Sequence, residues 1–191
     1  GRPGDLRRDG ENMADFQFAV LDFIQNHLRT PVGDAVMPII TRLGNGGILW
    51  VATGFLLLVS RKHRKTGVMV LAALAIEYLL CNVWLKNAVA AARPCDLNQS
   101  VQLLIARPRD YSFPSGHTGA SFAAVTALYL GKERYWYLAL IPAVLIAFSR
   151  MYLYVHFPTD ILGGIVVGAV SGFLAFGCVR LFSSWYGKRE Q

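Results

Sequence analysis

The sequence predicts an all-α fold, a polytopic transmembrane bundle of five to six spans preceded by N-terminal amphipathic interfacial helices. Of its 191 residues, 54% are hydrophobic and only 16% are charged, whereas about a quarter of the residues of a soluble domain are charged. Apolar runs long enough to cross a bilayer recur along the chain. The polar connections between these runs hold unevenly distributed basic residues, as expected of membrane helices with one fixed orientation.

The first twelve residues, GRPGDLRRDGEN, differ from the rest because they are polar and show no periodicity. We expect residues 1–12 to be a cloning remnant or a disordered tail, and residues 13–191 to form the membrane domain. Apolar side chains then recur at helical spacing among charged ones, which predicts interfacial helices at about Phe16–Leu28 and Val32–Leu43. A strongly tilted sixth span through this stretch is the alternative.

Five later segments are apolar enough to be predicted as spans. They cover residues 45–60, 67–89, 116–130, 135–154 and 159–182. The first and third are short, roughly 24 Å at the helical rise, so we expect their ends to lie close to the polar interface. Glu77 falls inside the second span, and we expect it to make a structural hydrogen bond there, far from the membrane face that carries the candidate site. Tyr152 and Tyr154 are expected to be interfacial aromatic anchors.

The loop charges predict which way the bundle faces. Three basic groups lie on one face of a five-span path: 61–65, 132–134 and 180–189. The positive-inside tendency makes that face cytoplasmic. The opposite, extracytoplasmic face also carries basic residues, which we attribute to a ligand: Lys86, Arg93, Arg107, Arg109 and Arg150. The prediction is a multi-pass cell-membrane protein with its active site on the extracytoplasmic face.

Three short segments meet at the extracytoplasmic face. They are KNAVAAARP (Lys86–Pro94), PSGH (Pro114–His117) and SRMYLYVHFPTD (Ser149–Asp160). Together they supply cations, two histidines, one carboxylate and a helix N-terminus, an inventory that fits a phosphate. Arg93 and Arg150 can each bind two oxygens, and Lys86 adds a point charge.

The PSGH turn adds backbone donors to these cations. Ser115 stands where it could cap the third span, so that the free N–H groups of Gly116 and His117 point toward an anion. No carboxylate cluster with metal-ligand spacing accompanies the three segments, and no cofactor is expected.

The two histidines divide the chemistry of phosphoryl transfer. Asp160 follows His156 by four residues and can fix its tautomer, which leaves the other ring nitrogen free to attack phosphorus. We therefore expect His156 to be the nucleophile and Asp160 to orient it. His117 is then the general acid that protonates the leaving oxygen.

These motifs resemble the signature of the type 2 phosphatidic acid phosphatase family, which reads Lys-x6-Arg-Pro, Pro-Ser-Gly-His and Ser-Arg-x5-His-x3-Asp. All three parts occur in order over Lys86–Asp160. The resemblance implies a metal-independent phosphatase working through a phosphohistidine, in a bundle that commonly has six spans. It assigns His117, His156 and Asp160 to catalysis. It assigns phosphate binding to Lys86, Arg93, Ser115, Gly116 and Arg150.

The expected function is hydrolysis of a phosphomonoester or diphosphate on a lipid. Undecaprenyl diphosphate is the first candidate, followed by phosphatidylglycerol phosphate and phosphatidic acid. The expected partners are this lipid phosphate and the bilayer, without nucleic acid, and the sequence does not fix an oligomeric state. Two alternatives stay open: a vanadate-dependent haloperoxidase-like enzyme, which would share the oxyanion pocket, and a non-catalytic lipid-binding membrane protein.

Overall fold

The computed structural model describes the backbone of residues 3–187 and the side chains of residues 12–183, and all regular structure within this range is helical. The N-terminal half contains α1 (Pro3–Phe23), α2 (Pro31–Leu43), α3 (Ile48–Val59), α4 (Arg64–Glu77), α5 (Lys86–Val89) and α6 (Pro94–Leu97). A π-helical segment, Tyr78–Leu85, joins α4 to α5. The C-terminal half contains α7 (Gly116–Leu130), α8 (Leu140–Tyr152) and α9 (Pro158–Gly187).

The predicted all-α membrane bundle is confirmed, and each of the five predicted spans is helical over most of its length. Among the described helices, 64–97 and 158–183 are long and apolar enough to cross a membrane by themselves. The pair α2 and α3, bent by 50°, adds a third crossing if it is counted as one broken span. Because α7 has only 15 residues, the number of crossings stays a prediction.

Two buried tyrosines fasten the N-terminal helices to the end of α8. The hydroxyl of Tyr152 donates to Oδ1 of Asp34 at 2.9 Å, and the hydroxyl of Tyr154 donates to Oδ1 of Asp22 at 3.0 Å. Both side chains are almost fully buried. The expectation that they are interfacial anchors is therefore wrong: the hydroxyl of each is used to bind another helix rather than the membrane surface.

Most of the stretch before residue 13 is helical rather than irregular. Helix α1 begins at Pro3, so its backbone is helical through most of the stretch predicted to be a remnant or a disordered tail. Residues 1–2 and the side chains of residues 1–11 lie outside the described part of the chain. The interfacial placement of α1 and α2 stays a prediction.

Small residues bring α7 and α9 into backbone contact. A Cβ added to Gly164 would lie 2.6 Å from the carbonyl oxygen of Ser115, and one added to Gly168 would lie 2.4 Å from that of Gly119. Close approach of this kind is typical of membrane helix pairs. It holds the start of α7 against the start of α9, and both helix starts carry residues of the predicted site.

The outer surface of the bundle is apolar. Leu56 and Val59 on α3, and Leu162 and Val166 on α9, are large hydrophobic side chains left exposed. The interior is built from small residues of α7 packed around Trp50, whose ring nitrogen donates to Oγ of Ser121 at 3.0 Å. Apolar side chains on the outer surface and hydrogen-bonded polar groups inside are the distribution expected of a protein surrounded by lipid.

Candidate active site

A cavity of about 680 Å³ opens where the ends of α5 and α8 meet the start of α7. The loop between α6 and α7 covers one side of it through residues 103–108. The cavity is lined by the following predicted site residues: Lys86, Arg93, His117, Arg150 and His156. The structure thus brings together side chains that are up to 70 positions apart, from Lys86 to His156.

Arg93 is buried and uses all five of its N–H groups, the full number that a guanidinium has. Nε donates to the carbonyl of Asp110 at 2.8 Å, and Nη1 donates to the carbonyl of Val155 at 2.7 Å. The other Nη1 bond runs to Nε2 of His156 at 3.0 Å. Nη2 donates to Oδ1 of Asp110 at 2.8 Å and to the carbonyl of Tyr111 at 3.2 Å.

Asp110 is a site residue that the sequence analysis missed. Its carboxylate forms ion pairs with both Lys86 and Arg93. The side chains of these two cations are 7% and 2% exposed, whereas that of Asp110 is 54% exposed. Partial burial raises the pKa of Asp110, but hydrogen bonds and the charges of Lys86 and Arg93 outweigh this effect, so its pKa lies below its ordinary value.

Arg150 lies in the last turn of α8 and is 4% exposed. Its Nη1 donates to Oγ1 of Thr41 on α2 at 2.6 Å. Its Nε is buried and has no hydrogen-bond partner within the described structure. A buried guanidinium donor without an acceptor is costly, and the Arg150 side chain that carries it lines the cavity.

His156 and Asp160 face each other across a tight turn, as the sequence predicts. Nδ1 of His156 lies 3.3 Å from Oδ2 of Asp160. Because Arg93 donates to Nε2, the proton of a neutral imidazole belongs on Nδ1, facing the carboxylate. Burial lowers the pKa of His156 well below its ordinary value, and the charges of Arg150, Arg93, Lys86 and His117 lower it further.

The carboxylate of Asp160 does not line the cavity but stands behind His156. Its Oδ2 also accepts from Oγ of Ser112 at 2.5 Å and from the backbone N–H of Phe157 at 2.8 Å. Sequence reasoning missed Ser112. Three donors around one oxygen fix the carboxylate, and through it the ring of His156.

The PSGH turn differs from its predicted geometry at Ser115. This residue occupies the N-cap position of α7, but its side chain makes no capping bond. Its oxygen instead accepts from Oγ1 of Thr118 at 3.0 Å, and the side chain is fully buried behind the cavity. The capping role expected for the Ser115 hydroxyl is therefore wrong.

His117 is held by an element that the motifs do not include. Its Nε2 lies 2.8 Å from Oδ1 of Asn45, in the sharp Gly44–Gly47 elbow between α2 and α3. Gly46 and Gly47 have positive φ angles of 57° and 66°. A Cβ on Gly44 would lie 2.7 Å from Cδ2 of His117. The glycines thus permit both the elbow and its close approach to the histidine ring.

A second cavity of about 340 Å³ adjoins the first and shares Lys86, Asp110 and His117 with it. Gly116 lines this second cavity, and so does Glu77, which is 2% exposed. Oε1 of Glu77 has no hydrogen-bond partner within the described structure. Glu77 is therefore next to the site, and the expectation that it lies far from the catalytic face is wrong.

No metal cluster accompanies the two cavities in the described residues. Within the part of the chain whose side chains the structure describes, no group of three or more His, Cys, Asp or Glu residues could hold a metal ion.

A helical membrane bundle with two histidines and three buried cations around one cavity defines a membrane lipid phosphatase. The chain belongs to the PAP2 superfamily, whose model matches residues 66–183. It is 32% identical over 167 residues to an undecaprenyl-diphosphatase from Sulfolobus acidocaldarius, a match that covers 87% of this chain and 80% of that protein.

Two solved structures share the fold. LpxE from Aquifex aeolicus superposes with a TM-score of 0.73 and is 29% identical, with 85% of this chain and 95% of that chain covered. A transmembrane PAP2-type phosphatidylglycerolphosphate phosphatase from Bacillus subtilis superposes with a TM-score of 0.64 at 27% identity, with 87% and 93% covered.

Proposed function

We propose that this chain hydrolyses a lipid phosphate through a phosphohistidine formed on His156. The observation that carries the proposal is the arrangement around Nε2 of His156, which faces the cavity beside Lys86, Arg93 and Arg150. A neutral imidazole among three cations is suited to attack a phosphorus whose negative oxygens the cations bind.

The proposed phosphate site uses the residues that the sequence singled out. Lys86, Arg93 and Arg150 compensate the charge of the phosphate oxygens, and all three line the cavity. The backbone N–H of Gly116, at the start of α7, adds the positive end of a helix dipole. Ser115 contributes through its place in this turn rather than through its buried hydroxyl.

The first step transfers the phosphoryl group to the enzyme. A phosphate oxygen that accepts from Nη1 of Arg93 releases the lone pair of Nε2 of His156. That pair forms the N–P bond while the bond from phosphorus to the leaving oxygen breaks and its electrons stay on oxygen. His117 gives this oxygen its proton. Asp160 stabilises the positive charge that develops on the ring of His156.

The second step returns the enzyme to its starting state. A water oxygen attacks phosphorus while His117, now neutral, takes a proton from that water. The N–P bond breaks and its electrons return to Nε2 of His156. Inorganic phosphate leaves, and His117 is protonated again for the next substrate.

For the substrate we propose a polyprenyl diphosphate first and phosphatidylglycerol phosphate second. The support is similarity to proteins named for these two activities. The basic loops at 61–65 and 132–134, together with the basic cavity at the other end of the bundle, support a multi-pass cell-membrane protein with an extracytoplasmic site. The oligomeric state has no bearing on this assignment.

Trapping of the phosphoenzyme tests the proposal. The purified full chain in detergent is mixed with lipid labelled at the terminal phosphate and quenched in alkali, where phosphohistidine survives. We expect label on the wild-type chain and none on His156→Ala, with turnover lower by at least about a thousandfold. His27→Gln is the matched control, because His27 contacts Phe23 on α1 and lines neither cavity. Normal turnover in His156→Ala would refute the nucleophile assignment.

A further inference from the structure

We propose that Asp110 is an internal competitor of phosphate, whose carboxylate exchanges with the ligand on Lys86 and Arg93 and so speeds release of inorganic phosphate. The inference rests on the proposed function in one respect, that an anionic phosphate binds these two cations. It adds a residue that sets the affinity of the site and that lies outside the three motifs.

The first support is a count of donors. Every N–H of Arg93 already has an acceptor, and three of these acceptors are backbone carbonyls: those of Asp110, Tyr111 and Val155. The two remaining acceptors are Oδ1 of Asp110 and Nε2 of His156. Since a phosphate needs donors of Arg93, it must take them from these two side-chain atoms.

The second support is the difference in burial between the partners. Lys86 and Arg93 are enclosed by protein, whereas more than half of the Asp110 side chain is exposed. The carboxylate also lines both cavities, so it has room to turn away from the cations. In this ion-paired group, the carboxylate is the partner that can move at small cost.

The third support is that the backbone of Asp110 is tied down. Its carbonyl accepts from Nε of Arg93, and two residues later the N–H of Ser112 donates to the carbonyl of Ala91 at 2.9 Å. Exchange therefore needs rotation of one side chain rather than movement of the loop. Such rotations take picoseconds to nanoseconds at exposed positions, so the exchange does not limit turnover.

Repulsion between negative charges requires the Asp110 carboxylate to leave when phosphate binds. A phosphate oxygen and the Asp110 carboxylate, both negative, repel each other when they share the same two donors. As a phosphate binds, the carboxylate leaves, and as phosphate departs it returns. Lys86 and Arg93 thus keep a counterion throughout the cycle, which avoids the large cost of an uncompensated buried charge.

The opposite role for Asp110 is that of a fixed counterion that only holds Lys86 and Arg93 in place. The two roles predict opposite changes in phosphate affinity when the carboxylate is removed. Removing a competitor strengthens phosphate binding, whereas removing a structural support weakens it. The neutral, nearly isosteric Asp110→Asn distinguishes them because it removes the negative charge while its amide oxygen can still accept from Arg93 in place of Oδ1.

The test measures binding of inorganic phosphate to the full-length chain in detergent by titration calorimetry, without turnover. We expect the Kd for phosphate to fall by about tenfold in Asp110→Asn, in line with the loss of one charged competitor. Asp110→Glu keeps the charge and should stay within about threefold of wild type. Glu133→Gln is the matched control, because Glu133 pairs with His63 beyond the other end of α7.

An unchanged or weaker affinity in Asp110→Asn would overturn the inference. If Asp110→Asn does not yield a monodisperse protein, Asp110→Ser serves as the second neutral variant, with the same expected sign. Phosphate release from lipids is assayed separately. If the wild-type chain releases none while the Asp110→Asn affinity still rises, the proposed function fails and the inference stands. If the wild-type chain releases phosphate from lipids but Asp110→Asn does not bind phosphate more tightly, the inference fails and the proposed function stands.

Discussion

The hydroxyl of Ser112 donates to Oδ2 of Asp160 at 2.5 Å, closer than the ring of His156 approaches the same oxygen. Ser112 is fully buried and lies just ahead of the PSGH turn, so it joins the loop after α6 to the start of α9. The carboxylate that orients the proposed nucleophile is thereby oriented itself. This relationship predicts that Ser112 is a positioning residue for catalysis.

Removal of the Ser112 hydroxyl should slow catalysis without weakening binding. In Ser112→Ala, Oδ2 of Asp160 keeps only the N–H of Phe157 and the ring of His156, so the imidazole is less well held. We expect kcat to fall by about tenfold with KM within about threefold. The measurement is steady-state phosphate release in detergent. Ser100→Ala is the control, because the exposed Ser100 side chain bonds to Asn98 in the same loop and lines neither cavity. A rise in KM alone would contradict the prediction.

His117→Ala should separate binding from chemistry. The variant keeps Lys86, Arg93 and Arg150, so we expect the Kd for inorganic phosphate to change by less than about threefold. Phosphoenzyme formation should slow by about 10²–10⁴-fold, the usual contribution of a general acid. A substrate with a strongly acidic leaving alcohol should lose much less rate, because its oxygen needs no proton. An equal loss with both leaving groups would show that His117 is not the acid.

Arg150→Lys should raise KM, because one ammonium cannot replace a planar fork that is tethered to Thr41 by Nη1 and open at Nε. We expect an increase of about tenfold or more in KM for the lipid phosphate, measured by initial rates. The paired control is Arg64→Lys at the start of α4, which lines neither catalytic cavity. The same KM in Arg150→Lys as in wild type would exclude Arg150 as a phosphate ligand.

Acid should destabilise the protein through His156. Its folded-state pKa lies well below 6.5 because it is buried among cations, so below pH 6.5 the unfolded chain takes up a proton that the folded chain does not. The contribution of His156 to the free energy of unfolding should therefore fall below pH 6.5, with a slope that approaches about 1.4 kcal/mol per pH unit. Thermal unfolding between pH 7 and pH 5 measures this slope. His156→Gln should show a shallower slope, and an identical one would refute the assignment.

Two glycines of α9 offer a matched test of the helix contact. A Cβ at Gly168 would meet the backbone of Gly119 at 2.4 Å, whereas one at Gly177 has no atom within 4 Å. Gly168→Ala should lower the free energy of unfolding by about 1–3 kcal/mol. Gly177→Ala should leave it unchanged or raise it by up to about 1 kcal/mol. Thermal unfolding midpoints in detergent compare them, and equal midpoints would contradict the packing described for α7 and α9.

Most of the helices could be predicted because the apolar runs begin and end at turn residues such as proline, serine and glycine. Helix α7 begins at Gly116 after the Pro-Ser turn and ends at Leu130 before a glycine, as the sequence predicts. Helix α1 was harder to predict, because its charged first residues have no apolar face that would indicate a helix. Helices α2 and α3 lie close to their predicted bounds, because the three glycines between them mark the break.

The candidate site could be predicted as far as its motifs extend. Lys86, Arg93, His117, Arg150 and His156 come together because their segments all end at one face of the bundle. Asp110, Thr41 and Asn45 carry no motif, and their contacts join elements far apart in the chain. A lone aspartate in a loop next to two arginines reads as a solvated surface charge. In the structure, Asp110 differs from the loop residue Asp96 in its partners. Asp110 pairs with buried Lys86 and Arg93, whereas Asp96 bonds to exposed Arg107.

The close contact between α7 and α9 separates positions of the site that tolerate no larger side chain from positions that do. Gly164 and Gly168 leave no space for a side chain, so the helix starts that carry His117 and Asp160 are held at one fixed separation. The cavity wall made by residues 103–108 contains no glycine and none of the predicted site residues. Substitutions in that wall can therefore change the shape of the cavity without moving His117 relative to Asp160.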